Sequence, residues 1–191
     1  ITYNIYMKKI NKNLPIAFAV VILLLLIGIF SRLGSGGSQN INSQLSESEV
    51  VGLTKMREEE KLSRDVYSVL YDKWGVQAFS NIGGSEERHT SQVKTLLDKY
   101  NLPDPVKDDT IGIFTDPEML KLYNQLTEKG LVSVSEALKV GVIIEELDIK
   151  DLDEEISKTK NPEIIAVYEN LKRGSENHLR AFSNNLEKRG E

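Results

Sequence analysis

The chain has 191 residues, which is enough for one domain with appended segments. It contains no cysteine, and this excludes disulfides, thiolate metal sites and a thiol nucleophile. The net charge is -5, but the first 46 residues carry four basic side chains and no acid, so the remainder carries -9. So acidic a domain lacks the basic face that phosphates require, and we expect no nucleic-acid partner.

The N-terminal region is typical of a membrane-directed segment. Residues 1–13 are basic, with three lysines, and residues 14–30 form an apolar run that would reach roughly 25 Å as a helix. Basic residues before the run predict a cytoplasmic N-terminus. No Ala-x-Ala-like pattern follows it, so we predict an uncleaved transmembrane anchor in preference to a cleaved signal peptide. The globular part is then extracytoplasmic and membrane-anchored, or secreted if cleavage occurs.

The sequence before the domain contains a candidate start and a predicted linker. The chain begins with Ile1, and Met7 is a candidate start because Met-Lys-Lys-Ile is an ordinary opening for an exported protein. Residues 31–46 are rich in glycine, serine and asparagine and predict a flexible linker. Residues 47–191 are therefore predicted to form the domain.

This domain is predicted to be all-α, because apolar residues recur every three or four positions and no stretch alternates as a strand would. Predicted helices cover residues 47–74, 76–100, 117 to just before 130, about 133–156 and about 162–185. Ser46 and Asn161 suit N-caps, and Pro117 and Pro162 suit first helical turns. Four long helices and a short one predict an antiparallel four-helix bundle with a longer connection between its halves.

Acidic residues and both histidines of the chain fall on the predicted inner faces. The candidate metal ligands are Glu60, Glu86, His89, Glu145 and His178. His89 follows Glu86 by three residues, so both share one helix face. Buried carboxylates need a partner or a cation, and carboxylates with imidazoles suit iron, manganese or zinc. Singly, each residue is more often a core or rim residue; together they follow the di-metal bundle pattern.

The same residues resemble the ferritin-like superfamily, and rubrerythrins in particular. Residues 60–67 are similar to the Glu-x-x-Ala-Arg-x-x-Tyr of a rubrerythrin first helix, with serine for alanine. Residues 86–89 match the Glu-x-x-His of the second helix, and residues 145–148 resemble the acid-rich third. Over residues 58–190 the chain looks like an uncharacterised ferritin-like family of archaea and bacteria. Three segments carry this closer likeness: residues 58–67, 144–152 and 174–182.

The resemblance implies a di-iron or manganese centre that reacts with peroxide or oxygen, with Arg64 and Tyr67 around the ligands. Ser175 departs from the pattern, which has a glutamate at that place. Asp148 either supplies the missing carboxylate as a sixth ligand or accepts a hydrogen bond from His178. Because Ser175 stands in place of a glutamate, a centre with one ion is a second expectation, in addition to the centre with two.

Enzyme status is left open by the sequence. One hypothesis is an oxidoreductase of the di-iron type, although no built-in electron donor is visible. The alternative is a non-catalytic helical bundle with a degenerate metal site that binds a partner or serves a structural role. The partners considered are the membrane, through the N-terminal helix, and a second copy in a homodimer.

Overall fold

The computed structural model describes residues 45–190 and shows five helices and no strand in that range, which confirms the all-α prediction there. The helices are α1 Glu47–Trp74, α2 Gln77–Lys99, α3 Pro117–Gly130, α4 Val134–Lys158 and α5 Pro162–Glu187. The second is one residue shorter at each end than predicted, and α3 includes Gly130. No helix within residues 45–190 is long and apolar enough to cross a membrane. The predicted anchor, and the linker as far as residue 44, lie outside the described residues.

Local side-chain caps explain where α1, α4 and α5 begin, whereas α2 has no side-chain cap. Ser46 forms a capping box with Glu49: its Oγ accepts the Glu49 N–H at 3.3 Å, and the Glu49 carboxylate accepts the Ser46 N–H at 2.7 Å. Ser133 and Asn161 accept first-turn N–H groups of α4 and α5. The end of α1 is set by Gly75, whose φ of 64° is the left-handed conformation that glycine adopts without strain. The predicted caps at Ser46 and Asn161 are thus confirmed.

The four long helices form an antiparallel bundle in the cyclic order α1, α2, α5, α4. Where two neighbours meet, residue numbers rise along one helix as they fall along the other. On α1 and α4 the paired side chains are Lys55 with Asp151, Ser63 with Asp148 and Tyr67 with Glu145. The same reversal relates α2 to α5, where Lys99 binds Glu163 and Gln92 accepts from Asn170. This arrangement agrees with the predicted bundle.

The connection between the halves is long because α2 and α4 run in the same direction. Residues 100–133, which include α3, return along the outer face of α1. Three contacts mark this path: Asp104 with Arg57, Thr110 with Lys61 and Gly112 with Asp65. Farther along, the Trp74 indole N–H donates to the Gly130 carbonyl at 2.9 Å. The crossover therefore buries a charged face of α1 that would otherwise face water.

Apolar layers fill the bundle on both sides of a polar layer. On one side the rings of Tyr67, Phe79 and Phe182 pack with centroids 5.2–6.0 Å apart. On the other side lies an aliphatic cluster that includes Leu53, Met56, Val93, Leu97, Leu152, Ile164 and Leu171. The candidate ligands lie between these layers along each helix, so the bundle holds them away from water.

Candidate metal centre

Five buried side chains from all four long helices meet between the apolar layers. They are Glu60 of α1, Glu86 and His89 of α2, Glu145 of α4 and His178 of α5. Their exposed fractions run from 0% for Glu86 and Glu145 to 8% for His178. The structure thus brings together the five residues predicted as ligands from the bundle pattern.

Glu86 lies at the middle of this group. Its Oε2 is 2.8 Å from Nδ1 of His89, and its Oε1 is 2.8 Å from Nδ1 of His178. The two imidazole rings stack, with centroids 5.6 Å apart. Glu60 Oε2 lies 3.3 Å from Nδ1 of His89, and Glu145 Oε1 lies 3.5 Å from Nδ1 of His178. Each histidine therefore faces Glu86 and one further carboxylate.

Two triads with one shared member result from this geometry. The first triad is Glu60, Glu86 and His89, and the second triad is Glu86, Glu145 and His178. Within each, one ligand atom per residue lies within 4.8 Å of the others. Atoms bound to a common ion at 2.0–2.2 Å are at most about 4.4 Å apart, so small adjustments would close each triad around an ion.

Polar atoms without hydrogen-bond partners show that the residues fit a cation. Glu60 Oε2, Glu86 Oε1, Glu145 Oε2 and His178 Nδ1 are buried without such a partner. His178 Nδ1 and Glu86 Oε1 are close in distance, but they are not aligned as a hydrogen bond. Buried polar atoms are nearly always paired, so four together mark a place where a positive ion would satisfy them.

Burial and mutual repulsion make the group bind protons tightly. Burial raises the pKa of Glu60 and Glu145. It also raises that of Glu86, but the attraction of the two neighbouring histidines outweighs this and leaves the Glu86 pKa below its ordinary value. Burial lowers the pKa of each histidine, but the neighbouring carboxylates raise it more, to about 10 for His89 and about 9 for His178. A metal ion must displace these protons to bind.

We therefore expect the affinity for a divalent ion to rise as the pH increases from 6 to 8. His89 and His178 titrate above this range, so an incoming ion competes with their protons throughout it. Each proton released raises the affinity about tenfold per pH unit. Zinc titrations by calorimetry, in buffers of different ionisation enthalpy, measure the number of protons released. An affinity that stays constant across the range would contradict this competition.

Two residues expected around the ligands do lie near them. Tyr67 is fully buried, and its hydroxyl donates to Glu145 Oε1 at 2.7 Å, which fixes the orientation of that carboxylate. Ser175 is also fully buried, three residues before His178 on α5. Its hydroxyl donates to the Leu171 carbonyl at 3.3 Å, a turn earlier in the same helix. Ser175 therefore brings no charge to the group.

Two other predicted residues lie outside both triads. Asp148 is buried with its Oδ2 3.4 Å from the Ser63 hydroxyl. Burial raises its pKa well above the ordinary value, and the carboxylates of the triads raise it further. Arg64 binds the carboxylates of Asp109 in the crossover and of Glu87 on α2. Arg64 therefore supports the connection between the halves and has no contact with the triads among its hydrogen bonds.

Comparison with known families and structures identifies the domain. A model described as an uncharacterised protein domain, DUF2202, matches residues 49–191. The chain belongs to the DUF2202 family. It is similar to the uncharacterised protein MJ0754 of Methanocaldococcus jannaschii, with 58% identity over 138 residues that cover 72% of this chain and 75% of that protein. The crystal structure of hypothetical protein MJ0754 matches with a TM-score of 0.76 and 54% identity, over 82% of this chain and 87% of that one.

The matched range contains every candidate ligand, so both triads belong to the DUF2202 domain itself. The names of these relatives state no activity. Family membership therefore identifies the domain but not its chemistry. The resemblance to ferritin-like proteins stays a prediction.

Sequence reasoning missed one residue of the DUF2202 domain that touches the site. Gly174 lies inside α5, directly beside the ring of His89. The available signal was a glycine–serine pair within a long helix, where glycine costs about 1 kcal/mol relative to alanine. The spacing of apolar residues does not identify such a glycine, because a glycine has no side chain to assign to a helix face.

Proposed function

We propose that the DUF2202 domain binds two transition-metal ions, iron or manganese, and acts in redox chemistry on peroxide or oxygen. The observation that carries this proposal is the pair of buried triads that share Glu86, with four polar atoms there lacking hydrogen-bond partners. Two imidazoles and three carboxylates form a donor set that suits both metals. The likeness to rubrerythrins supports the redox part.

Each residue of the group has a distinct role in this proposal. Glu86 would be shared by the two ion positions, Glu60 and His89 would hold one ion, and Glu145 and His178 would hold the other. Tyr67 holds Glu145 in place through its hydroxyl. Three protein atoms for each ion leave further coordination positions open, as catalytic sites require. Bound iron or manganese would supply the one-electron chemistry that protein side chains lack.

Burial limits what can react at this centre. The least buried of the five ligands, His178, is only 8% exposed, and the three carboxylates are at most 1% exposed. The surrounding apolar layers keep these side chains away from bulk water. Molecules of the size of hydrogen peroxide or dioxygen are therefore the substrates we propose.

Peroxide consumption by the loaded protein tests the redox proposal. The purified chain, loaded with iron(II) or manganese(II), is expected to consume hydrogen peroxide at a rate proportional to its bound metal. The metal-free chain and the same concentration of free metal are the controls. If the fully loaded chain consumed neither peroxide nor oxygen faster than free metal does, the redox proposal would fail while metal binding stood.

A second candidate is a non-catalytic bundle whose polar group is structural. Two observations favour it: Ser175 carries no carboxylate, and each histidine already lies 2.8 Å from an oxygen of Glu86. Metal analysis separates the two candidates. A folded helical chain that binds no stoichiometric iron, manganese or zinc after attempted loading would establish the non-catalytic bundle.

We further propose that the domain is tethered outside the cytoplasmic membrane by residues 1–30. The support is the basic segment and the apolar run in the sequence. In cell fractionation the full chain is expected in the membrane pellet after an alkaline wash, and a chain that begins at residue 45 is expected in the supernatant. Recovery of the full chain in the supernatant would contradict the tether.

A further inference from the structure

The ring of His89 occupies the space where any side chain at position 174 would lie. A Cβ built on Gly174 would be 2.4 Å from His89 Cε1 and 2.6 Å from His89 Nε2. Contacts this short do not persist between real atoms, so something would have to move. Gly174 is in the interior of α5, which spans Pro162–Glu187. The glycine lets the backbone of α5 approach the imidazole on α2 closely.

His89 is held from two sides as a result. Its Nδ1 edge faces Glu86 Oε2 at 2.8 Å and Glu60 Oε2 at 3.3 Å. The Cε1–Nε2 edge lies against Gly174, and one ring face stacks on His178. The imidazole therefore has carboxylates on one edge and the backbone of α5 on the other. Displacement of the ring away from α5 would change the alignment of Nδ1 with the first triad.

The atoms nearest to a side chain at Gly174 belong to the first triad. The three atoms nearest to its added Cβ all belong to His89, and none belongs to Glu145 or His178. Those atoms are the far end of a side chain, which can rotate while both helices stay in place. Gly84 on α2 differs from Gly174 on α5, because a Cβ added to Gly84 would meet no atom within 4 Å.

We infer that Gly174 is a positioning residue that controls occupancy of the Glu60–Glu86–His89 position independently of the other position. This inference rests on the proposed function, because it requires two ions. The substitution Gly174→Ala pushes the imidazole out of line, so the first triad loses its nitrogen ligand. The second triad keeps all three of its ligands. The substitution should therefore convert a centre with two ions into a centre with one.

Cobalt(II) binding to the purified full chain tests this inference, with the number of bound ions and the ligand-field absorption as readouts. Wild type is expected to bind two ions per chain and Gly174→Ala one, with an altered visible spectrum. The matched control Gly84→Ala introduces the same methyl into a neighbouring helix where space is open, and it is expected to bind two. Adding His178→Ala to Gly174→Ala should remove the remaining ion, because it then disrupts the second triad.

A double-mutant cycle with His89→Ala keeps the inference testable if Gly174→Ala disturbs folding. Removing the ring removes the clash, so the thermal midpoint of Gly174→Ala/His89→Ala should equal or exceed that of His89→Ala alone. Gly174→Ala by itself should lower the midpoint. An equal loss in both backgrounds would overturn the role assigned to His89.

The outcomes also separate this inference from the proposed function. Two ions with an unchanged spectrum in Gly174→Ala would overturn the inference and leave the two-ion centre standing. Loss of both ions from a folded Gly174→Ala chain would overturn the claim of independent positions. If wild type bound no ion, the proposed function would fail, and the inference with it.

Discussion

Replacing Glu86 by glutamine is expected to reduce the bound metal from two ions per chain to none. Glu86 is the member common to both triads, and each of its oxygens faces one histidine. An amide supplies no negative charge and cannot bridge two cations. Changes to residues that only support a metal ligand already cost 10–100-fold in affinity, so we expect a loss of more than about 100-fold here. Manganese or cobalt titration of the purified chain measures the loss.

Glu87→Gln is the matched control for this prediction. It removes the same charge one residue away, from a side chain that is 55% exposed and bonded to Arg64 outside the site. This variant is expected to bind two ions with the affinity of wild type. If Glu86→Gln kept one ion at that affinity, Glu86 could not be the bridge, and the two triads would be separate sites.

Asp65→Ala is expected to destabilise the metal-free domain by about 3–5 kcal/mol, which is the range for breaking a buried ion pair. Asp65 is fully buried, and its Oδ2 accepts from Lys61 Nζ at 2.5 Å and from the Gly112 N–H at 3.0 Å. Without this carboxylate the buried Lys61 ammonium loses its hydrogen-bonded anion and keeps a hydrogen bond to the Thr110 carbonyl and a contact with the face of the Phe114 ring. Urea unfolding in the presence of a chelator measures the change.

Asp98→Ala provides the matched control, because Lys94 and Asp98 form an ion pair with the same four-residue spacing on the surface of α2. Both side chains are largely exposed there, and pairs of that kind contribute little. We expect the double variant Lys61→Met/Asp65→Ala to recover part of the lost stability, since an apolar chain leaves no buried charge unpaired. If Asp65→Ala and Asp98→Ala had equal effects, the pair at the crossover would not be structural.

Local signals in the sequence were enough to predict the helices and the ligand types. Ser46 and Asn161 cap helices through bonds within three residues, so the caps depend on no distant contact. Glu86 and His89 share a face for the same local reason. The meeting of the five ligands at one depth was predicted by assuming a helical bundle. That assumption held because the connection from α1 to α2 is very short.

Burial of charged residues on the outer face of α1 was not predictable in this way. Lys61 and Glu58 carry charges, and charged side chains are mostly exposed in folded proteins. Their exposed fractions are 0% and 7%, because the crossover of residues 100–133 packs over that face. This contact joins segments about 50 residues apart, and no periodicity in α1 encodes it. Arg64 was placed beside the ligands by resemblance, yet the same crossover draws it to Asp109.

The detailed geometry of the centre also required the structure. Sequence spacing says that His89 and His178 face inward, but not that both Nδ1 atoms lie 2.8 Å from Glu86. That convergence depends on how α2 packs against α5, where the His89 ring lies in the space left open by Gly174. Asp148 was expected as a sixth ligand or as the acceptor for His178. Its Oδ2 lies 3.4 Å from the Ser63 hydroxyl on α1, and its role beside the metal stays a prediction.

The most direct test is an anomalous difference map from crystals of the manganese-loaded protein. We predict two peaks on opposite sides of the Glu86 carboxylate, one bound by Glu60 and His89 and the other by Glu145 and His178. Peaks only at surface carboxylates, or no peak between the four long helices of a fully loaded and folded protein, would contradict the metal centre.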